Sequence, residues 1–369
     1  EQGVGVLGVS NYYDYQVYGD FVHRARQEGI FPLFGIEIIC MDGALRDAGV
    51  KINDPGNPGK FYICGKGITR FGEMTPDAAR LIDLIRRNDS TRMARMIERM
   101  KQVFTERGLE TDVDERAVVE MIVDRHGSDL STVYLQERHI SQAFQEALFD
   151  KVEPQERIER LRRVLGAETK AKDPDDFVAI QNDLRSFLMK AGKPAFVDET
   201  FISFDDAYRL ILELGGIPCY AAVADGASPI SQFEESPDKL IAAVKERNIH
   251  AVEWIPPRNT IGVLRDYVTA MREAGLAITA GTEHNTLDPV QLDPFANDGD
   301  VPDDLRAVFW EGACVAAGHQ FLCLHGECGF VDGDGNPNPD YTSADERIRS
   351  LARIGAAVMK RYDETGGGR

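Results

Sequence analysis

The first forty residues carry a strand–helix–strand pattern, and this pattern constrains the fold more than any other feature of the chain. Residues 4–9 (VGVLGV) are small, apolar and β-branched, as in a buried strand. Residues 21–28 place apolar side chains along one helical face, and residues 31–38 (FPLFGIEI) form a second apolar run. Such alternation predicts a parallel sheet with a helix packed between consecutive strands.

The side chains at the ends of these strands are the first candidates for function. In α/β folds, the carboxyl ends of parallel strands carry the binding and catalytic groups. Asn11 and Tyr12 follow the first strand, and Glu37 lies near the end of the second. We therefore expect these three residues to line a site.

The rest of the chain divides into stretches of different character. A third strand is predicted over residues 61–65. Strand patterns then vanish, and charged amphipathic helices follow from residue 76 to residue 193. From residue 194 onward strand–helix alternation returns. The sequence thus predicts an α/β barrel made of residues 1–75 and 194–369, with a helical insertion at 76–193 that forms a lid over the substrate.

A methionine-rich stripe lies within this insertion. Met93, Met96, Ile97, Met100 and Val103 recur at spacings of three and four, which places them on one helix face. Methionine commonly fills irregular gaps in cores. We expect this face to be core and not a ligand surface.

Composition excludes several classes of function. The 369 residues carry a formal net charge of −19, which argues against binding to duplex nucleic acid. The six cysteines form no CxxC pair, so we expect them to be reduced. No run of about twenty apolar residues indicates a membrane span, and no dinucleotide or nucleotide-binding fingerprint appears. We expect a soluble, cytoplasmic protein without a nucleotide cofactor.

Several segments together resemble the PHP (polymerase and histidinol phosphatase) superfamily. GVGVLGVSNYYD, ARQEGI and LFGIEI are similar to its second motif and to the strand that carries its bridging carboxylate. RHISQA at 138–143, KPAFV at 193–197 and GGIP at 215–218 are similar to the branch of nucleotide phosphatases and exoribonuclease-like members with an inserted helical domain. The resemblance implies a distorted (β/α)7 barrel around two or three metal ions and a phosphoesterase activity.

The resemblance also locates the metal ligands, and most of those positions carry other residues. Glu37 matches the bridging carboxylate, and Glu283 stands where the family has Asp. His284 is one position out of register. The family's HxH motif would lie upstream of residue 1 or is absent. The substituted ligand positions are Asn11, Tyr12, Tyr62, Ala222 and Asn285.

A reduced metal site follows from these substitutions. A single divalent ion (Mn, Zn or Fe) would be held by Glu37, Glu283 and His284, with Asp14 or Asp225 as further ligands. The alternative is a hydrogen-bonded polar network at the barrel mouth. Glu253, inside a later strand, either points into the barrel or pairs with Lys or Arg.

Other residues suit a phosphorylated or sugar-like small molecule. Arg138 and His139 in the insertion would reach over the mouth, unless they are an ordinary surface arginine and a packed histidine. Tyr12 would stack on a base or sugar ring, or pack among other aromatics. The remaining predicted binding residues follow strands: Lys66, Arg258 and Asn259.

Three functions are compatible with these residues. The first is a PHP-like metal-dependent phosphoesterase with a degenerate metal site, acting on a small phosphorylated metabolite or nucleotide. The second is a metal-free barrel that binds a ligand in a regulatory role, since Tyr12, Tyr62 and Ala222 would fill the space of a metal cluster. The third is a barrel enzyme that uses Glu283 and His284 as an acid–base pair on a sugar-like substrate. The sequence leaves the oligomeric state open.

Overall fold

The computed structural model describes residues 3–284 and 290–365. It divides into two compact units, one made of residues 1–82 and 202–369 and the other of residues 83–201. The division falls inside one long helix that begins at Pro76, so the boundaries differ by a few residues from the predicted 76 and 193.

The first unit is built on one seven-stranded sheet. Its strands are β1 (Val6–Asn11), β2 (Phe31–Met41), β3 (Lys60–Lys66), β4 (Ile202–Ser203), β5 (Ile217–Ala222), β6 (Ala251–Trp254) and β7 (Ala277–Ala280). The order across the sheet is β1-β2-β3-β5-β6-β7, and β4 pairs with β2. The strands run parallel except β3, which is antiparallel to both β2 and β5. Two short strands, β8 (Phe295–Ala296) and β9 (Gly299–Asp300), form a separate pair.

The sheet is a curled half-barrel, which fits a distorted barrel of mixed α/β class. Among the described residues, the path of strand pairing starts at β1 and ends at β7, so the sheet is open along those two strands. The finer (β/α)7 type remains a prediction.

Helices cover both faces of this sheet. The helices of the first unit are α1 (Val17–Gln27), α2 (Gly43–Asp47), α8 (Phe204–Glu213), α9 (Pro237–Glu246), α10 (Ile261–Glu273), α11 (Asp303–Leu324) and α12 (Ala344–Glu364). Ile36 packs on the face towards Ile211 of α8, because a Cβ at the intervening Gly65 would lie within 3 Å of both side chains. Alternate strand residues point to opposite faces. The other face therefore carries Cys64 and Cys219, which pack in one core cluster with Val315 of α11 and Leu351 of α12.

Helices α11 and α12 pack with very close backbones. A Cβ at Gly355 would lie 1.9 Å from the carbonyl oxygen of Cys314, and one at Gly318 would lie 2.3 Å from that of Leu351. Gly312 similarly brings α11 against β7, where a Cβ would lie 1.8 Å from the Ile278 oxygen. Only glycine permits these approaches.

By length and composition, α11 passes the test for a membrane-spanning helix, contrary to the expectation from the sequence. Half of its most apolar window is buried inside the first unit, against β7 and α12. Core helices of folded domains pass the same test, so this helix is weak evidence for a membrane span.

The second unit, residues 83–201, consists of helices joined by loops and contains no strand, and the structure describes all of these residues. Its helices are α3 (Pro76–Glu106, continuing from the first unit), α4 (Glu115–His126), α5 (Glu137–Lys151), α6 (Pro154–Leu165) and α7 (Phe177–Leu184), followed by a π-helical turn at Arg185–Met189. The predicted core stripe is confirmed: all five residues, from Met93 to Val103, are buried in the main cluster of this unit.

Candidate functional site

Five ionisable side chains of the first unit form one electrostatic group, which we call the charged cluster. Glu37 comes from β2, Lys66 from β3 and Glu253 from β6, while Arg258 and Glu283 follow β6 and β7. Each of the other four acts on the pKa of Glu37, so all five lie within interaction range. The cluster contains three potential anions and two cations.

The strand register explains how three of these side chains meet. Glu37 pairs with Cys64, and Gly35 pairs with Lys66, so Glu37 and Lys66 are diagonal neighbours on one face of the β2–β3 ladder. Glu253 lies opposite Ala221 on β5, on that same face. Long side chains bridge such diagonal distances easily.

Both cations of the cluster form ion pairs with its carboxylates. The Lys66 ammonium donates a hydrogen bond to Glu253 Oε2, and the two side chains are only 14% and 19% exposed. The Arg258 guanidinium pairs with Glu283, and these side chains are 46% and 33% exposed. The first pair is thus interior, and the second lies at the solvent-accessible end of the cluster.

Burial and like charges raise the pKa of Glu37. Burial is the largest cause, Glu253 adds to it, and Lys66 only partly offsets it. The pKa of Glu283 is also raised, again chiefly by burial, with Arg258 opposing. A carboxyl group that holds its proton to higher pH is suited to general acid–base chemistry.

The turn after β7 is shaped around the Glu253 carboxylate. A Cβ at Gly281 would lie 3.0–3.3 Å from the carboxylate atoms of Glu253, so glycine makes the room for this group. The Gly281 amide donates a hydrogen bond of 2.7 Å to the Trp254 carbonyl oxygen, which fixes the turn. Glu283 then adopts a φ of +50°, a left-handed conformation that is uncommon for glutamate.

The residues predicted at the end of β1 form a turn of their own. The Asn11 side-chain Nδ2 donates to the Asp14 carbonyl oxygen at 2.8 Å, and the Asn11 main-chain N–H donates to the Tyr18 hydroxyl at 2.9 Å. The Asp14 carboxylate accepts from the Gln16 amide. The Tyr12 ring packs 4.7 Å from that of Tyr13. These contacts support the packing alternative for Tyr12.

Asp225 and Asn259 are joined to each other and fix two loops. The Asn259 amide group donates to the Asp225 carboxylate at 2.8 Å and to the Val223 carbonyl oxygen at 2.7 Å. Asp225 also accepts two hydrogen bonds from Thr260. Asn259 is fully buried. In this structure both residues connect the loops that follow β5 and β6.

His284 points into its own loop. Its Nε2 donates to the Val290 carbonyl oxygen at 2.9 Å, and its Nδ1 lies 2.8 Å from the Thr282 hydroxyl oxygen. The carboxylate of Glu283, in contrast, pairs with Arg258. The two predicted acid–base partners are therefore engaged with different groups. Asn285 lies outside the described residues.

Two of the remaining positions differ from their predicted place. Ala222 pairs with Trp254, one residue beyond the Ala221–Glu253 pair, so it points to the face opposite the charged cluster and is fully buried. Lys66 is the last residue of β3, but because β3 is antiparallel it pairs with Ile217, the first residue of β5. The Lys66 side chain therefore starts at the amino-terminal ends of β5 and β6, whereas the loops that follow β5 and β6 lie at their carboxyl ends.

Tyr62 shares the face of Lys66, as alternate residues of one strand do. Its main chain is held by Asn53, which accepts from the Tyr62 amide at 2.9 Å and donates to both the Tyr62 and Ala221 carbonyl oxygens at 2.8 Å. The Lys60 ammonium lies 5.6 Å from the Tyr62 ring centroid. Asn53 thereby joins β3 and β5, a role that no sequence pattern indicated.

Arg138 and His139 belong to the second unit. They lie in the first turn of α5, where His139 Nδ1 accepts from the Gln136 amide at 3.1 Å in a capping arrangement. Partial burial lowers the pKa of His139, and the charges of His126 and Arg138 lower it further. Their role over the barrel mouth remains a prediction.

Sequence reasoning missed Glu234, a fully buried carboxyl group at the end of β5. It accepts hydrogen bonds from the Tyr220 hydroxyl and from the Val223 and Ala224 amides, at 2.8–3.0 Å. It thus fixes the chain where β5 ends, at the position expected to carry a metal ligand. Its run, QFEESP, gives no periodic or motif-like pattern.

The charged cluster does not offer the ligands of a two- or three-metal centre. Across residues 3–284 and 290–365, no three His, Cys, Asp or Glu side chains are grouped to hold a metal ion. Lys66 already pairs with Glu253, and Ala221, which faces the cluster, has no donor atom in its side chain. The predicted set of Glu37, Glu283 and His284 is not assembled, because His284 is held within its loop.

Comparison with solved structures places the fold. A candidate metal-dependent phosphoesterase from Bifidobacterium adolescentis aligns with a TM-score of 0.51 and 13% identity, covering 84% of this chain and 86% of its own. An amidohydrolase from Chromobacterium violaceum, solved with sulfate and no metal, aligns with a TM-score of 0.46 and 16% identity, covering 82% and 86%. The second score is too low to support a conclusion.

No protein-family model matches the sequence, and no curated protein matches it. At 13% identity, the first structural likeness shows a shared fold and not a shared activity. This chain therefore has the fold of a protein named as a phosphoesterase, with a charged cluster in its first unit. Membership of the PHP superfamily remains a prediction.

Proposed function

We propose that this protein is a divergent phosphoesterase-type hydrolase whose active site is the charged cluster, and whose substrate is a small phosphorylated metabolite or nucleotide. The observation that carries the proposal is the grouping of a carboxyl of raised pKa, Glu37, with Lys66 and Arg258. In phosphoester cleavage by water, a proton donor assists the leaving-group oxygen, and cations stabilise the negative charge on the phosphoryl oxygens. The shared fold with a protein named as a phosphoesterase supports the same reaction class.

Each side chain has a distinct part in this proposal. Arg258 is nearly half exposed, so it can exchange Glu283 for a substrate phosphate, for which its planar fork is well suited. As water attacks the phosphorus atom and the ester P–O bond breaks, Glu37, protonated over a wider pH range than an ordinary glutamate, would give its proton to the leaving-group oxygen. The proton released by the attacking water would then restore the Glu37 carboxyl group. Lys66 and Glu253 would set the pKa of Glu37 through their charges, which act in opposite directions.

The part played by a divalent cation is a separate question. The similar structure is named as metal-dependent, which favours a cation in proteins of this fold. The donor set of this chain argues against a cluster of the PHP kind, since Lys66 and Ala221 stand among the carboxylates. We therefore assign no step of the reaction to a metal ion.

The proposal is tested by assaying a panel of nucleoside monophosphates and sugar phosphates, in EDTA and in Mn²⁺. Glu37→Gln should lower kcat by about 10²–10⁴-fold, the usual contribution of a general acid. Arg258→Ala should mainly raise KM. Arg265→Ala is the matched control, because Arg265 is equally exposed (46%) and also forms an ion pair, with Asp304.

A second function, ligand binding without turnover, is favoured by the pairing of both cations with carboxylates. Calorimetry with inorganic phosphate separates the two. Phosphate binding that is lost in Arg258→Ala, with no hydrolysis of the panel, would support a binding protein. Neither binding nor hydrolysis would reject both proposals for this site.

A further inference from the structure

We infer that the Lys66 ammonium group is the built-in cation of the charged cluster and that it excludes a divalent ion from Glu37 and Glu253. The inference rests on the proposed function, because it concerns the same site. It makes Lys66 a positioning residue that acts through the two glutamates.

The first argument is geometric. Lys66 is at the end of β3 that meets the first residue of β5, and its side chain extends along the sheet face to Glu253 on the next strand, β6. Glu37 of β2 lies on the opposite side of β3, as the diagonal neighbour of Lys66 on the same sheet face. One ammonium group therefore serves carboxylates from two strands that do not pair with each other.

The second argument is the state of charge. The Lys66 ammonium group donates a hydrogen bond to Glu253 Oε2 in an ion pair whose side chains are 14% and 19% exposed. Lys66 therefore supplies a positive charge directly to an interior carboxylate of the cluster.

The third argument is the fate of a divalent ion at the same place. Carboxylates buried without a counter-charge are costly, so Glu253 and the ionised form of Glu37 need a cation nearby. Either an ammonium group or a metal ion can supply that charge, but both cannot occupy the same place because two cations repel each other strongly at short range. Ala221 adds no ligand that would favour the metal.

Lys60 provides a matched control within the same strand. It is also buried, at 6% exposure, and its ammonium lies 3.3 Å from Asp54 Oδ2. Lys60→Met thus removes a buried lysine and an ion pair from β3 while leaving the charged cluster intact. Any effect that comes only from a loss of stability should therefore appear in both Lys66→Met and Lys60→Met.

The test measures Mn²⁺ binding by EDTA-treated wild-type protein, Lys66→Met and Lys60→Met, without substrate. We expect Lys66→Met to bind one Mn²⁺ per chain at least about tenfold more tightly than the other two proteins, since two carboxylates and water suffice for such an ion. We also expect the wild type, purified without chelator, to contain no stoichiometric metal, and its Tm to be unchanged by EDTA.

Several results would overturn the inference. One is that the wild-type protein contains stoichiometric metal and that removing this metal lowers the Tm. Another is that Lys66→Met folds but binds Mn²⁺ no more tightly than the wild type. If Lys66→Met does not fold by itself, its refolding yield should rise with Mn²⁺, and an equal yield with and without Mn²⁺ counts against the inference. Because no substrate is involved, failure here is distinct from failure of the hydrolase proposal.

Discussion

Glu234 shows how much one buried side chain can determine at a strand end. Its carboxyl group joins the Tyr220 hydroxyl to two consecutive amides, and its own carbonyl oxygen accepts from Tyr267 at 2.6 Å. Burial raises its pKa to about 7. At pH values between about 4.5 and 7, where an unfolded glutamate is ionised, the Glu234 carboxyl group therefore takes up a proton when the protein folds.

This uptake gives a pH-dependent prediction at the residue scale. The raised pKa stabilises the folded state fully below about pH 4.5, and this contribution is lost as pH rises from 4.5 to about 7. Unfolding free energies of wild type and Glu234→Gln, measured by denaturant titration, should diverge across this window. The difference between them should change by up to about 3 kcal/mol.

The comparison with the variant is necessary because two histidines, the buried His319 and the partly buried His250, act in the opposite direction. Burial lowers the pKa of both His250 and His319 to about 4, so they destabilise the folded state as pH falls below 6.5. Their contribution is common to both proteins and cancels in the difference. A difference that is flat between pH 4.5 and pH 7 would show that Glu234 is ionised throughout.

Single residues were predictable from the sequence where they lie on strands. Glu37 was identified from its place in a predicted strand and from the family resemblance, and Glu253 from its place inside a later predicted strand. Asp225, Asn259 and His284 follow strands, and beyond a strand end periodicity no longer says where a side chain points. Their hydrogen bonds within the loops decide their direction, and no local pattern encodes those partners.

At the scale of elements, the contact between α11 and α12 depends on absent side chains. Gly318 and Gly355 each face the backbone of the other helix at a distance where no Cβ fits. The helical character of residues 76–193 and the third strand, predicted over residues 61–65, followed from apolar spacing. The antiparallel direction of β3 did not, because periodicity within a strand is the same in both directions.

The helix contact predicts a large effect of one methyl group. Gly355→Ala should destabilise the protein by about 1–3 kcal/mol or more, since the helices must separate to admit the Cβ. The measurement is Tm and the unfolding free energy. Gly262→Ala is the control, because it lies in α10 with open space around its Cβ position, and should be neutral or stabilising. Equal effects of the two substitutions would contradict this account.

At the scale of the whole molecule, charge dominates. The net charge of −19 is spread over 61 acidic and 42 basic side chains. The exposed ion pairs each contribute little, whereas the excess of negative charge repels itself in the compact state. The change in periodicity marks the start of a long helix at Pro76, while no sequence pattern indicates the open edge of the sheet.

Self-repulsion predicts the response to salt. Raising NaCl from about 20 mM to about 200 mM shortens the screening length from roughly 20 Å to below 10 Å, so the Tm should increase. Sodium sulfate at matched ionic strength would show whether specific anion binding adds to screening. A Tm that decreases with NaCl would mean that attractive ion pairs outweigh the net repulsion.

The direction of β3 has a consequence for how this protein can diverge. The lysine of the charged cluster is delivered from one edge of the sheet, and Arg258 and Glu283 are delivered by turns at the other. Selection acting on those turns can alter which molecules are admitted without disturbing the interior ammonium. Substitutions in the turns that carry Arg258 and Glu283 can thus change ligand selectivity while the interior Lys66–Glu253 ion pair is kept.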